Sequence, residues 1–211
     1  VLLDKSGFNR KLAAFLLTTK RPPVEVLKTQ AKGVLTTAIA YTPPGHAGSP
    51  LSRSRQAGEG AVRSDVGRVF FESRNVVRSD LSPLHSRARS RATGRVQRGI
   101  TRAPTDAAAL EGYANRQAAK VGFFASGWKR AAAALGAKLP AWCRRHNAPG
   151  DYGLRSVGAR HGISFANLTA FGRQHPQLSR LLELALRVQE GKMRRQTTSY
   201  YKRMGKQSGF R

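Results

Sequence analysis

The sequence predicts an α+β fold: a mostly helical body with long helices, a small antiparallel β-hairpin or sheet, and extended basic arms. Three patterns support that expectation. A helical stripe runs through Thr105–Lys138, apolar and polar residues alternate through Gly153–Phe171, and arginines crowd residues 74–104, where no periodic apolar face is visible. The expected organisation is a single domain. Residues 1–73 supply an N-terminal helical part of the core, and 74–104 form an Arg-rich extended arm or loop. Residues 105–211 add a long helix, a hairpin and a basic C-terminal helix that complete the domain.

In the stripe, Leu110, Ala114, Gln117, Val121, Phe124, Trp128, Ala131 and Leu135 step alternately by four and three. A period of about 3.5 residues is that of a helix with one continuous apolar seam. Thr105 and Asp106 offer an N-terminal cap, and alanine-rich turns favour helix throughout. Unbroken, the helix would run roughly 50 Å at 1.5 Å per residue. Gly122 and Gly127 bend it or admit another backbone beside Phe123, Phe124 and Trp128. Leu110, Val121, Phe124, Trp128 and Leu135, with Trp142 beyond a break at Pro140, are the expected core seam, with a subunit contact at one end.

Upstream, residues 4–20 read as a short amphipathic helix with Phe8, Leu12, Phe15 and Leu16 on its apolar face, stopped by Pro22-Pro23. A second helix, about Pro23 to Ala40, begins with proline in its first turn and Glu25 near its positive end. Val24, Leu27, Ala31, Val34, Leu35, Ala38 and Ile39 make its expected buried face, and Tyr41-Thr42-Pro43-Pro44-Gly45 ends it. Residues 45–55 have loop composition. Gln56–Phe71 is a weaker helical pattern, interrupted by Gly58, Gly60 and Gly67, and Val69-Phe70-Phe71 could instead begin a strand.

In Gly153–Phe171, Leu154, Val157, Ile163, Phe165 and Leu168 alternate with polar residues around a turn near Gly158 and Gly162, which is a β-hairpin pattern. The last helix, about residues 177–205, has Leu178, Leu181, Leu182, Ala185, Leu186 and Met193 along one side. Its second half carries Lys192, Arg194, Arg195, Lys202 and Arg203, with Tyr200 and Tyr201 between, and is expected to leave the core.

Charge limits the possible partners. Thirty-eight Lys and Arg face 11 Asp and Glu, a net of +27 over 211 residues. Self-repulsion on that scale calls for a polyanion or acidic neighbours. Arg74, Arg78, Arg87, Arg89, Arg91, Arg95, Arg98 and Arg102 share their stretch with one acid, Asp80, and no lysine. Arginine's planar fork pairs phosphate or carboxylate bidentately, so these eight, with the cations of the last helix, are the expected contacts to nucleic acid or an acidic partner. No alternating aromatic and basic platform for stacked bases is present, which favours backbone phosphates over sequence readout. No apolar run approaches the length of a membrane span, the N-terminal residues lack the order of a secretion signal, and the single Cys143 excludes an internal disulfide and fits a reducing compartment.

Catalytic patterns are missing. His46, His85, His146, His161 and His175 are scattered without metalloprotease spacing, and Cys143-x-x-His146 is half a zinc site at most. Gly45-His-Ala-Gly48 lacks the Gly-Lys-Ser/Thr ending of a nucleotide loop. The acids form no cluster from which a metal nuclease site can be assembled. No enzyme activity, metal or cofactor is expected.

The order of parts carries a resemblance. A helix with a Thr-Pro-Pro-Gly exit (Ala38-Ile-Ala-Tyr-Thr-Pro-Pro-Gly45), a basic insertion, a hairpin near Asn167 in Ser164-Phe-Ala-Asn167, and a long basic C-terminal helix resemble the minor tail, or tail-completion, proteins of tailed bacteriophages. The lambda-type minor tail protein Z group is the nearest, and VGFFASGWKRAAAALG and LPAWCRRH look like segments of phage structural proteins. The chain departs from that group in its long 74–104 insertion and in having no Thr-Gly after the helix exit. The resemblance implies a non-enzymatic virion protein, assembled in the host cytoplasm into a neck ring that joins head to tail. Its implied partners are copies of itself, portal or adaptor proteins, tail-tube or tail-terminator proteins and duplex DNA in the channel, with no membrane. The alternative is a free basic nucleic-acid-binding protein making sequence-independent phosphate contacts.

Overall fold

The computed structural model describes residues 6–19, 21–46, 48–74, 76, 80–90, 95–158, 160–169 and 176–207. Its fold is mixed α and β, with helices dominant, as the sequence predicts. The chain divides into two compact units: Val1–Ser52 together with Gly122–Arg211, and Arg53–Val121. The expected single domain with an arm is therefore corrected. Residues 53–121 have a core of their own.

In the discontinuous unit, helix α1 (Ser6–Thr18) is followed by α2 (Pro23–Tyr41). Proline at the start of α2 costs no hydrogen bond there, because the first amide hydrogens of a helix have no partner within it. Two faces of α2 are buried, which explains its nearly uninterrupted apolar second half. Ala31, Leu35 and Ile39 pack with Trp128, Ala131, Ala132 and Leu135, while Val34 and Ala38 meet Phe8, Leu181, Ala185 and Met193. Val26 is buried in place of the expected Val24, which is only half-buried. The organising element of this unit is α2.

The Thr-Pro-Pro-Gly exit is built into that core. Thr42 is fully buried; its hydroxyl donates to the Ala38 carbonyl at 2.7 Å and accepts from Trp128 Nε1 at 2.9 Å. Gly45 donates its N–H to the Thr42 carbonyl at 2.8 Å, and a Cβ there would collide with the Ala40 carbonyl and the Leu51 backbone. Each residue of the motif that can be tested in this way has a local packing reason.

In the other unit, α3 (Arg55–Val69) runs directly into strand β1 (Phe70–Glu72), so the strand alternative for Phe70-Phe71 is the one observed. Helix α4 (Ser82–Ala88) and strand β2 (Ala103–Thr105) follow, and β2 pairs in parallel with β1, Phe70 opposite Ala103. Helix α5 (Ala107–Ala118) closes the unit, capped by Asp106, whose Oδ1 accepts the Ala109 N–H at 2.8 Å. Its core joins Val66, Val69, Phe70, Leu81, Val96, Tyr113 and Ala114. Leu84, Ala88, Ile100 and Ala103 pack around it. The expected structureless arm thus contributes a helix, a strand and half of a core. Its apolar residues were too sparse to show a period alone, and they become a face only beside α3 and α5.

The long 105–138 helix is likewise corrected. Helix α5 ends at Ala118, and α6 (Phe123–Ser126) and α7 (Lys129–Leu135) follow as separate pieces. Gly122 sits at φ +95°, in the left-handed region, and a Cβ there would lie 2.6 Å from the Trp142 ring. A side chain is excluded on both counts. The seam was two half-seams: Leu110 faces the core of residues 53–121, whereas Trp128 and Leu135 belong to the other unit, with Trp142 packed against them. Val121 and Phe124 are half-buried.

After α8 (Ala141–Arg144), strands β3 (Gly150–Val157) and β4 (Arg160–Asn167) form the antiparallel hairpin that the alternation predicts, Gly150 opposite Asn167. Asn167 is buried. Its Nδ2 donates to the Phe124 carbonyl at 2.8 Å, and its Oδ1 accepts from the Thr169 hydroxyl at 2.8 Å. Gly127 allows the close approach, since a Cβ would strike that amide. Helix α9 (Pro176–Gln207), 32 residues long, completes the unit against α1 and α2.

Candidate nucleic-acid interface

The sequence of α9 changes character once along its length. Up to Glu190, cations and acids are mixed: Arg180, Glu183, Arg187, Glu190. Over the same turns Leu181, Ala185, Gln189 and Met193 are buried at steps of four. Gln189 Nε2 donates to Gln30 Oε1 inside the core, and a Cβ at Gly33 would collide with Gln189, so α2 and α9 meet closely there. Glu190 accepts from Lys11 Nζ at 2.6 Å. After Met193 no residue of α9 up to Arg203 is buried, and after Glu190 the helix contains no acid.

Lys192, Arg194, Arg195, Lys202 and Arg203 are all exposed on that second half. A helix gains from cations only near its last turn, so the dipole accounts for Arg203 better than for Arg194 or Arg195. Arg194, Arg195, Thr198, Ser199 and Lys202 surround a shallow cavity of about 440 Å³. Tyr200 and Tyr201 stand edge to face with centroids 5.6 Å apart, and Tyr201 is 57% exposed. Three cations and two hydroxyls supply donors only to an anion. The two hydroxyls carried no signal in the sequence reading.

The arginines of residues 74–104 do not act as one set. Arg74, Arg87, Arg95 and Arg98 are exposed, while Arg78 and Arg91 lie outside the described residues. Arg102 is exposed too, but donates from Nε and an amino nitrogen to the Phe70 carbonyl at 3.2 and 2.7 Å, with its guanidinium 5.7 Å from the Phe71 ring centre. Arg89 reaches Asp65 at 3.4 Å, and its Nε is buried without a hydrogen-bond partner. These two hold the fold of their unit and are poor candidates for a free contact.

A polar cluster in the same unit escaped the sequence reading because its members lie far apart in the chain. His85 Nδ1 and the Tyr113 hydroxyl are 2.9 Å apart, and Phe70 meets both rings edge to face. Burial pushes the His85 pKa below its ordinary value, with Arg89 adding to the effect and Asp65 opposing it; burial likewise pushes Tyr113 up. A neutral imidazole paired to a phenol fits a packed core.

Among the described residues, no group of three or more His, Cys, Asp and Glu could hold a metal ion. Cys143 is buried and its thiol is pushed up to about 12 by that burial, which makes a thiolate ligand or nucleophile unavailable near neutral pH. Among the described residues, no helix is long and apolar enough to cross a membrane. Comparison with family models, curated proteins and solved structures finds no match to this chain.

Proposed function

We propose that this chain is a non-enzymatic subunit of a DNA-carrying assembly, the neck or tail-completion ring of a tailed phage being the setting its sequence resembles. The observation that carries the reading is the acid-free second half of α9, whose cations are exposed and in which no residue from Arg194 to Arg203 is buried. Such a run of cations has little to gain from solvent alone, since added acids serve solubility better than added cations. In a ring around a DNA channel, phosphate and acidic neighbours would neutralise it, and heterologous contacts between copies would close the ring. Portal, adaptor, tail-tube and terminator proteins are the partners that such a position implies.

The test is removal of the gene from a phage that encodes it, followed by electron microscopy and protein analysis of the particles. Filled heads and unjoined tails, restored to joined particles by adding the purified chain, are the expected result. Normally joined particles, or purified virions without the chain, overturn the reading. In the latter case, strong duplex binding by the isolated chain would assign it instead to the free nucleic-acid-binding proteins.

A further inference from the structure

We infer that Arg194, Arg195 and Lys202, with the hydroxyls of Thr198 and Ser199 between them, form a seat for the phosphate backbone of duplex DNA. The inference deepens the proposed function and rests on it, by naming the residues of one face that meet the nucleic acid. Placement on one helix is the first support. Residues four apart on a helix are neighbours, so Arg194, Thr198 and Lys202 stand in one row, with Arg195 and Ser199 in the row beside it. The five surround a single cavity of about 440 Å³.

Charge is the second support. The last acid of the helix is already bound to Lys11, so no carboxylate of α9 competes for these cations. Arg194 and Lys202 lie about 12 Å apart along the axis at 1.5 Å per residue. That span is comparable to the major-groove width of about 12 Å, so the two ends of the row can reach phosphates on opposite sides of a groove.

The choice of DNA over an acidic protein follows from what the seat lacks. Hot spots of protein interfaces are Trp, Tyr and Arg side chains seated in well-packed, desolvated pockets, whereas Arg194 and Arg195 stand exposed around a shallow cavity. Backbone phosphates need no such anchor, because each cation that engages one releases a condensed counterion. Contacts to phosphate carry no sequence information, so binding through this seat is independent of sequence.

The experiment measures fluorescence anisotropy of a labelled 20-base-pair duplex against salt for the full chain, the triple variant Arg194→Gln, Arg195→Gln, Lys202→Gln, and a charge-matched control. The control, Arg10→Gln, Lys28→Gln, Lys32→Gln, removes three exposed cations from α1 and α2. Circular dichroism verifies that all three proteins are folded. With about 0.9 counterions released per phosphate, the α9 variant should lower the log–log salt slope by about 2.7, roughly 500-fold in affinity at 0.1 M relative to 1 M salt. The control should change affinity by less than about 5-fold, and scrambled duplexes should bind alike. Equal losses in the two variants would overturn the seat while leaving the proposed function standing. No salt-dependent duplex binding by the unaltered chain would overturn both. Unchanged duplex affinity in the α9 variant, with loss of binding to polyglutamate, would assign the face to an acidic protein partner instead.

Discussion

Replacing Trp128 with alanine empties the centre of the discontinuous unit. Its ring is 0% exposed, lies edge to face with Phe165 at 6.1 Å, and packs among Leu35, Ile39 and Leu135. Truncating a buried aromatic to alanine costs about 3–5 kcal/mol through lost transfer energy and the cavity left behind. A second variant, Trp128→Phe, keeps most of the volume and deletes the Nε1 bond to Thr42. That neutral bond contributes about 0.5–1.5 kcal/mol, and the Thr42 hydroxyl keeps its own bond to the Ala38 carbonyl. Trp128→Phe should therefore cost about 1–3 kcal/mol, with part of the cost from imperfect filling. The assay is urea denaturation followed by Trp142 emission, which survives both changes and lies in the same unit. A loss below about 1 kcal/mol for Trp128→Ala would refute the packing argument. Equal losses for the two variants would place the whole effect in the hydrogen bond.

Further expectations concern turns, pairs and titration. Gly122→Ala should destabilise its unit by more than about 1–2 kcal/mol in urea, because the left-handed φ alone costs that much before the clash with Trp142. Gly60→Ala should instead stabilise by about 0.5–1 kcal/mol, since a Cβ there meets nothing within 4 Å on an exposed turn of α3. Lys11→Gln should cost less than about 1 kcal/mol, and raising salt should shrink the difference, because the pair with Glu190 is partly exposed. His85 has a folded pKa below its unfolded value of 6.5, so the unfolded chain takes up its proton first. Stability of that unit is present above pH 6.5 and falls as pH drops below it; His85→Phe should flatten the urea midpoint between pH 7.5 and 5.

Much of the fold could be read from the sequence, because the strongest signals were local. Prolines framed α2, alternation of apolar and polar residues marked the hairpin, and Asp106 marked the start of α5. What misled was a periodicity that continued across a break. The stripe kept its step through Gly122 because each side needed an apolar face, but the two faces serve different cores. A glycine whose conformation excludes a side chain cannot be told from a tolerated helical glycine without its neighbours. The same blindness hid the order in residues 74–104: Leu81, Leu84, His85 and Ala88 share a helical face, yet seven residues are too few to show a period. At the candidate interface, charge density was legible and the division of labour was not. Arg89 and Arg102 look like their neighbours in sequence, and only the Asp65 carboxylate and the Phe70 carbonyl set them apart.

That division bears on how a chain of +27 stays folded. Several exposed cations outside α9 have partners: Lys11 with Glu190, Lys129 with Asn147 and the Arg144 carbonyl, Arg63 with Asn115. On α9 the change from mixed charges to cations alone coincides, within three residues, with the end of burial at Met193. Repulsion among exposed cations weakens within a Debye length of about 8 Å at physiological salt, so a solvent-facing helix surface is a less costly place to keep them than the core. If that segregation is what permits the fold, removing the α9 cations should leave thermal stability nearly unchanged at 0.15 M salt while duplex affinity collapses. A large gain in stability from the same substitutions would mean that their repulsion is felt by the core, and the separation between body and binding face would fail.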